Sequence, residues 1–561
     1  MKILLLMPLS SSFASIVNAK SVEWKEKINR QAGIKTVSCV YPTGLLSIGA
    51  YIKEKVSQSE IKILDFNAEI NNYAEVQKGN IASAVREDFW QYCLDLIGDF
   101  TPDVIGVSFL FCSNFRDMEP LGQFLRTRYP DIPLVCGGHL PSAIYRIIFE
   151  NDSCFDAVAF SEGEIPMYEL CCHIAQGDWK TFIEKDNAWI TAEKTNGKTD
   201  FIPERKLIEN LDEIPCFDLS MLVSPDAYKN FTDKFLFIIE PRNDLKDMVL
   251  FTTRGCPGRC VFCASQNVHG HKIRQYSVER VKSDIVQYNK KYGINHFVFY
   301  DDHFLSNRTR AMEILDFIAE NNWYAEVPNP AFFSIDADVA SSMKKAGVNE
   351  VLLSIESGNE NTLRNIIHKA ADLTRAEQAV HHLHKAGIYA ATNILIGMPG
   401  ETRDSIEEGF NYLKSSSVNW YQCFVTAPLP GSRLWDICEQ NNYFVNDNLF
   451  DMDFKKCVIK TPDFTPEYIE KKVYEMNLYL NFINNYDMRT GNYVQALHMF
   501  ERVLGNVIDT HAIAYYCAAQ CCKQMGLKEK HKNYLDKYFE MIDKFPFWKD
   551  WAEFFKLPLS R

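Results

Sequence analysis

The chain has 561 residues and a mass of 64.7 kDa, a length that predicts about three to five domains. Lys and Arg number 60 against 73 Asp and Glu, so the net charge of −13 disfavours a general nucleic-acid or anionic-membrane binder. Mean hydropathy is −0.21 and no uncharged apolar stretch of about 18 residues occurs, which disfavours a membrane span. Seventeen cysteines, an odd number spread along the whole chain, favour a cytoplasmic protein with reduced thiols over a secreted disulfide framework.

Residues 1–180 alternate short apolar runs with helical patterns. The apolar run after Met1 is short and is interrupted by Pro8, so it predicts a buried first strand rather than a signal peptide. Strands are predicted at 2–7, 61–66, 104–111, 133–136 and 157–160. This alternation predicts an α/β domain with a doubly wound parallel sheet, whose ligand lies outside the carboxyl ends of the strands.

Three further regions follow. Residues 181–245 are polar and poorly periodic, which predicts a linker. Residues 246–445 repeat a strand–helix unit six times, which predicts a partial (β/α)6 barrel with functional groups at the strand carboxyl ends. Residues 446–561 are predicted to form an all-helical domain. Gly491 and Gly526 open two helical patterns in it, at a spacing close to the 34 residues of tetratricopeptide pairs, although any helical hairpin fits equally well.

A cysteine triplet follows the first predicted barrel strand. Cys256, Cys260 and Cys263 have Cys-x3-Cys-x2-Cys spacing. Three thiolates on a short loop can hold three irons of a four-iron cluster and leave the fourth iron open for another ligand. The alternative is a structural zinc site, which needs a fourth ligand such as His269 or His271. The other paired cysteines, such as Cys171-Cys172, lie on apolar helical patterns and are predicted to be small buried residues.

The triplet, with Phe262 before its last cysteine, resembles the signature of the radical S-adenosylmethionine superfamily. Segments at the later strand ends, 354–358, 393–401 and 427–432, resemble that family too. The resemblance implies that the open iron binds S-adenosylmethionine and that reductive cleavage gives a 5′-deoxyadenosyl radical. The contact set it implies is Phe262, Tyr300, Asp301, Asp302, Ser354, Glu356, Ser357, Asn393, Ile396, Gly397 and Leu429. The two adjacent aspartates could instead cap the following helix.

The first domain resembles the cobalamin-binding domains that precede some radical S-adenosylmethionine barrels, through segments 42–51, 102–108, 137–141, 161–164 and 210–215. The implied cobalamin contacts are Pro42, Gly44, Ser108, Gly137, Gly138, His139, Ser161, Glu162 and Gly163. The alternative is a domain that keeps the fold but has lost the cofactor.

One motif of many cobalamin domains is missing. The loop after the first strand, residues 8–14, has no histidine to ligate cobalt, and Asp301-x-His303 lies in the barrel instead. We therefore expect base-off, His-off cobalamin. His139 lies in the right region, and a hydrogen bond near the cobalamin tail is a better role for it than cobalt ligation.

The resemblance implies an oxygen-sensitive enzyme that methylates an unactivated carbon, or phosphorus, through methylcobalamin and the deoxyadenosyl radical. Two alternatives are a non-methylating oxidoreductase or cyclase with the same cofactors and a cluster-bearing sensor or scaffold. A methylthiotransferase is disfavoured because no second cysteine triplet precedes the barrel. Expected partners are a small-molecule or peptide substrate, an electron donor such as flavodoxin or ferredoxin, and a protein contact through the C-terminal helices; no nucleic acid and no membrane span are expected.

Overall fold

A computed structural model describes residues 1–17, 28–29, 34–35, 39–77, 84–150, 153–195, 201–228, 245–369, 372–446 and 456–561. Its first domain is built on a six-stranded sheet. The strands are β1 Lys2–Met7, β2 Glu60–Asp65, β3 Val104–Ser108, β4 Leu134–Gly137, β5 Ala157–Ala159 and β6 Trp189–Ile190. Their order in the sheet is β2-β1-β3-β4-β5-β6, and every neighbouring pair is parallel except β5 and β6.

Helices cover both faces of this sheet. They are α1 Thr43–Lys55, α2 Phe66–Gln77, α3 Arg86–Asp95, α4 Phe115–Arg128, α5 His139–Ile148, α6 Glu164–Gln176 and α7 Trp179–Lys185. Ile3 and Leu5 of β1 pack into the core under α1 and α6, whereas Leu4 and Leu6 pack into the opposite core. A strand buried on both faces needs apolar residues at every position, so the continuous apolar run of β1 follows from the doubly wound fold.

Two details differ from the sequence-based prediction of this domain. The antiparallel strand β6 lies inside 181–245, the range predicted as a linker, and Trp189 is fully buried in it. The third strand ends at Ser108 rather than 111, because the chain turns there and a short helical turn at Cys112–Asn114 follows.

The second region is the predicted six-unit barrel. Its strands are β7 Asp247–Leu250, β8 His296–Phe299, β9 Tyr324–Glu326, β10 Glu350–Glu356, β11 Tyr389–Ile396 and β12 Trp420–Val425. Strands β7 to β9 and β10 to β12 form two parallel ladders. A hydrogen bond from the N–H of Leu352 to the carbonyl of Pro328, 2.9 Å, links them.

Barrel helices alternate with these strands: α8 Val278–Tyr292, α9 Arg308–Glu320, α10 Ala337–Lys345, α11 Leu373–Lys385, α12 Arg403–Ser415 and α13 Arg433–Gln440. The sequence pattern predicts a first barrel strand at 248–253, but the strand ends at Leu250. Thr253–Arg254 instead pairs antiparallel with Arg274–Gln275, and this pair holds together the two ends of residues 255–273, the cysteine loop.

The chain ends in a helical domain with its own core. Its main helices are α14 Pro466–Leu478, α15 Tyr493–Arg502, α16 Ala512–Gln524, α17 Lys528–Lys544 and α18 Pro546–Phe554. Gly491 and Gly526 take left-handed φ angles of 79° and 73° just before α15 and α17, which accounts for glycine at both positions. A tetratricopeptide relationship stays a prediction. Within the described ranges, no helix is both long enough and apolar enough to cross a membrane.

Candidate active site

The cysteine loop lies at the carboxyl end of β7 and is braced from several sides. The N–H of Cys256 donates to Gly270 and that of Val261 to Ile367, at 3.3 and 3.0 Å. All three cysteines are half-buried and unpaired, and burial raises the pKa of the Cys263 thiol to about 11. A buried thiol favours the thiolate only beside a strong positive charge, which bound iron supplies.

The zinc alternative fits this geometry poorly. His269 Nδ1 lies 2.7 Å from Glu162 Oε1, and His271 is exposed. Across the part of the chain that the structure describes, no three His, Cys, Asp or Glu side chains are grouped closely enough for a single ion. A four-iron cluster places each cysteine on a different iron and has no such requirement.

Asp302 braces the cysteine loop. Its Oδ2 accepts the N–H of Gly255 at 2.8 Å, and its Oδ1 accepts the hydroxyl of Ser265 at 2.6 Å. These partners flank the cysteine triplet at its two ends. The carboxylate predicted to bind S-adenosylmethionine is therefore hydrogen-bonded to the loop that carries the cluster ligands.

Asp301 points to a different environment. Its Oδ1 accepts the hydroxyl of Thr252 at 3.0 Å, and burial raises its pKa to about 6 although nearby Arg310 favours the charged form. Tyr300, Asp301 and His303 line a small cavity of about 60 Å³.

Phe262 lies between two of the cysteines, and the remaining predicted S-adenosylmethionine contacts lie within or just after β10, β11 and β12: Ser354, Glu356, Ser357, Asn393, Ile396, Gly397 and Leu429. Asn393 Oδ1 is buried and has no hydrogen-bond partner among the described residues. An orphaned buried amide oxygen is costly, so it favours a ligand with a donor at this point. Gly397 takes a left-handed φ of 97°, and the N–H groups of Gly397 and Met398 donate to Glu401 Oε2 at 2.9 and 2.8 Å.

Lys369 was not predicted from the sequence. It donates to the carbonyl of Ser354 and lies 3.2 Å from Glu356 Oε1, while Glu356 itself takes a left-handed φ of 72°. The Lys369 ammonium also opposes the burial that raises the pKa of Cys256 and Cys260. It places a positive charge among the predicted cluster and S-adenosylmethionine residues. A single lysine outside any motif could not be recognised as a site residue from the sequence.

A cavity of about 470 Å³ lies between the carboxyl ends of the sheet strands and the barrel. Of the predicted cobalamin contacts, all except Pro42 line it: Gly44, Ser108, Gly137, Gly138, His139, Ser161, Glu162 and Gly163. Asp302 and Leu429 of the S-adenosylmethionine set line it as well, together with Ser265 from the cysteine loop. The cavity therefore joins the two predicted cofactor sites.

The glycines of the cavity wall shape the turn at Gly138 and leave room for a cofactor beside Gly44. A Cβ on Gly138, whose φ is 97°, would lie 2.7 Å from the Phe109 carbonyl oxygen, so only glycine allows this turn. Added at Gly44, a Cβ would meet nothing within 4 Å, which leaves open space at the wall. Burial lowers the pKa of His139, so its ring is neutral at physiological pH.

Glu162 is held by charged side chains of the barrel, which the sequence did not indicate. Its carboxylate contacts Arg254 and Arg274 at 3.0 Å as well as His269. Burial opposes the ionisation of Glu162. The charges and hydrogen bonds of Arg254, His269 and Arg274 together outweigh burial and hold the pKa of Glu162 well below its ordinary value. Arg254 and His269 both line the cavity. His269 was considered from the sequence only as a zinc ligand, and Arg254 was missed because a charged residue beside a cysteine motif carries no specific pattern.

Comparison with known proteins agrees with both halves of the site. Residues 30–171 match the model of the B12 binding domain, and residues 250–413 match that of the Radical SAM superfamily. An uncharacterized methyltransferase of Pyrococcus horikoshii is 28% identical over 77% of this chain and 85% of its own length. Cytidylyl-2-hydroxyethylphosphonate methyltransferase of Streptomyces wedmorensis is 26% identical over 76% of this chain and 83% of its own.

Two further similarities are more distant. The anaerobic magnesium-protoporphyrin IX monomethyl ester cyclase of Rubrivivax gelatinosus is 23% identical over 66% of this chain and 63% of its own. The cobalamin-dependent S-adenosylmethionine radical enzyme OxsB, solved with aqua-cobalamin and S-adenosylmethionine bound, shares the fold with a TM-score of 0.59. Its sequence identity is 13%, over 97% of this chain and 79% of its own. The chain therefore carries a B12 binding domain followed by a Radical SAM superfamily domain, and it is an enzyme whose cofactors, those of these two domains, are a [4Fe–4S] cluster, S-adenosylmethionine and cobalamin.

Proposed function

We propose that this enzyme transfers a methyl group from S-adenosylmethionine, by way of cobalamin, to an unactivated carbon or to phosphorus of a small molecule. The observation that carries the proposal is the cavity, which is walled on one side by the sheet and on the other by the cysteine loop. The two most similar relatives named above are methyltransferases, one of them acting on a phosphonate, and they support the same reaction class.

In this proposal, each group of site residues holds one of the cofactors. Bound together, the cofactors supply a transferable methyl group and a radical that abstracts hydrogen. Cys256, Cys260 and Cys263 hold the cluster, and the S-adenosylmethionine contacts expected at the strand ends hold the sulfonium ligand beside it. Ser108 and the Gly137-Gly138 turn hold the cobalamin tail at the sheet. Electrons come from a small donor such as flavodoxin or ferredoxin.

Three measurements test the assignment of residues. After anaerobic purification from cells supplied with cobalamin, we expect about one cobalamin and four irons per chain. The electron paramagnetic resonance spectrum of the Co(II) form should lack nitrogen superhyperfine splitting, because no histidine ligates the cobalt. Cys256→Ala should abolish 5′-deoxyadenosine formation and keep cobalamin, whereas Cys172→Ala, a half-buried cysteine on α6, should change neither.

A second candidate is cyclase chemistry without methylation, favoured by the similarity to the Rubrivivax gelatinosus enzyme. The two functions are separated without knowing the substrate. The reduced holoenzyme is given S-adenosylmethionine labelled in its methyl group. A methyltransferase moves the label to protein-bound cobalamin and releases one equivalent of S-adenosylhomocysteine. A label that stays on S-adenosylmethionine would contradict the proposal and favour the cyclase.

A further inference from the structure

Arg254 joins the two halves of the active site. It lies two residues before Cys256, yet its guanidinium leaves the barrel and contacts the sheet domain. Its Nη1 donates to Glu162 Oε2 at 3.0 Å, and its Nη2 donates to Glu164 Oε1 at 2.7 Å and to the Ser47 hydroxyl at 3.0 Å. Both glutamates belong to the turn and helix start that follow β5 and line the cavity.

The contact is buried and well satisfied. The side chain of Arg254 is 9% exposed, those of Glu162 and Glu164 are 2% and 4% exposed, and that of Arg274 is 1% exposed. Arg274 lies beside Arg254 in the short antiparallel pair and contacts Glu162 too, so two cations face two anions. Buried ion pairs contribute little net stability compared with apolar packing but fix geometry well, which indicates a geometric purpose.

The link from Arg254 to the cluster ligands is short and stiff. Gly255 separates Arg254 from Cys256 and has a φ of 87°. A Cβ at this glycine would lie 2.3 Å from the Lys272 carbonyl oxygen. The N–H of Gly255 donates to the Asp302 carboxylate. A displacement of the 161–164 turn is thus passed to the cysteine loop through two residues. The Ser161 hydroxyl gives a parallel link, because it donates to the Val268 carbonyl just beyond the cysteines.

We propose that Arg254 is a positioning residue that couples the cobalamin-binding turn 161–164 to the cluster loop 255–263, so that cobalamin binding orders the loop and fixes the distance between the two cofactors. The proposal rests on the proposed function in that the cavity must bind cobalamin. Arg254 touches neither reacting atom in this scheme. It acts through Glu162 and Glu164 on one side and through Gly255 on the other.

Anaerobic hydrogen–deuterium exchange of the full chain with its cluster, with and without hydroxocobalamin, tests this coupling. In the wild type, hydroxocobalamin should slow exchange in peptides from the sheet and, by about threefold or more, in peptides spanning 255–263. Arg254→Lys keeps the charge but cannot bridge both glutamates, and Glu164→Gln keeps the shape but removes one anion. In both variants the slowing should remain in the sheet peptides and disappear from the loop peptides.

Arg126→Lys is the matched control, because Arg126 pairs with Asp156 entirely within the sheet domain, 3.0 Å apart. It should retain the loop response. Slowing of the loop peptides that persists in both Arg254→Lys and Glu164→Gln would overturn the inference. So would loss of iron or cobalamin from both variants, since the residues would then hold a cofactor or the fold. A wild-type chain that binds no hydroxocobalamin would overturn the proposed function and this inference together.

Discussion

Asn481 pairs with the backbone of Tyr421 as a neighbouring strand would. Its Oδ1 accepts the Tyr421 N–H at 2.7 Å, and its Nδ2 donates to the Tyr421 carbonyl at 2.8 Å. Asn477 does the same for Cys423, at 3.1 and 2.8 Å. Four helical residues rise about 6 Å and two strand residues about 6.7 Å, so the two amides match alternate residues of β12. The helical domain thereby provides hydrogen-bond partners for backbone groups of β12, the strand at the open edge of the barrel.

Asn481→Ala should destabilise the enzyme by about 2–4 kcal/mol, because a buried N–H and a buried carbonyl both lose their partner. Thermal and urea unfolding of the cluster-loaded chain measure the effect. Asn441→Ala is the control, because Asn441 is exposed and only donates to Ile437 on its own helix. Equal unfolding midpoints for the two variants would show that the edge contact carries no stability.

His296 is a buried cation in the barrel wall. Its Nδ1 lies 2.7 Å from Asp247 Oδ1, and its Nε2 lies 3.3 Å from Glu326 Oε1. Burial works against the charged ring, but Asp247 and Glu326 outweigh it and raise the pKa of His296 to about 9. The imidazolium thus ties three neighbouring strands, β7, β8 and β9, through two carboxylates.

The pH dependence of stability follows from this shift. The folded-state pKa of about 9 lies above the unfolded value of about 6.5, so the stabilisation is complete below pH 6.5 and is lost as pH rises through 9. Its size is about 3 kcal/mol. The difference in unfolding free energy between wild type and His296→Gln should therefore shrink between pH 6.5 and pH 9. A difference that stays constant with pH would show that His296 is neutral in the folded state.

Asp302→Asn separates a loop brace from an S-adenosylmethionine contact. The amide is uncharged and has one acceptor oxygen in place of two, so the hydrogen bonds of Gly255 and Ser265 can no longer both end on a charged oxygen. Loss of a hydrogen bond to a charged group costs about 1.5–3 kcal/mol, so iron loss to a chelator should quicken roughly tenfold or more. Asp301→Asn should leave it unchanged. Normal iron retention with weakened S-adenosylmethionine binding would instead support the role predicted from the sequence.

The fold and the cofactor set could be predicted because their signals are local. Strand and helix periodicities need only a window of about ten residues, and the cysteine triplet spans eight positions. Turn glycines such as Gly138 are local features as well, because their own left-handed backbone angle requires glycine.

Contacts between distant segments could not be predicted in this way. Arg254 and Glu162 are 92 residues apart, and Tyr421 and Asn481 are 60 apart. Glu162 was assigned to cobalamin because its turn matched a pattern, and only the packing of barrel on sheet brings two arginines to it. Strand β6 was missed because two residues give no periodicity.

Gly138→Ala tests the cavity wall against a matched glycine. Both Gly138 and Gly177 have left-handed φ angles, 97° and 80°, but a Cβ at Gly177 meets nothing within 4 Å, whereas at Gly138 it meets the Phe109 carbonyl oxygen at 2.7 Å. Gly177→Ala should therefore cost about 1–2 kcal/mol of backbone strain. Gly138→Ala should cost more, and it should also weaken cobalamin binding, because the turn that lines the cavity must move. Unfolding measurements and absorbance titration with hydroxocobalamin check both effects. If the two variants bound cobalamin equally well, the Gly137-Gly138 turn would not be part of the cobalamin site.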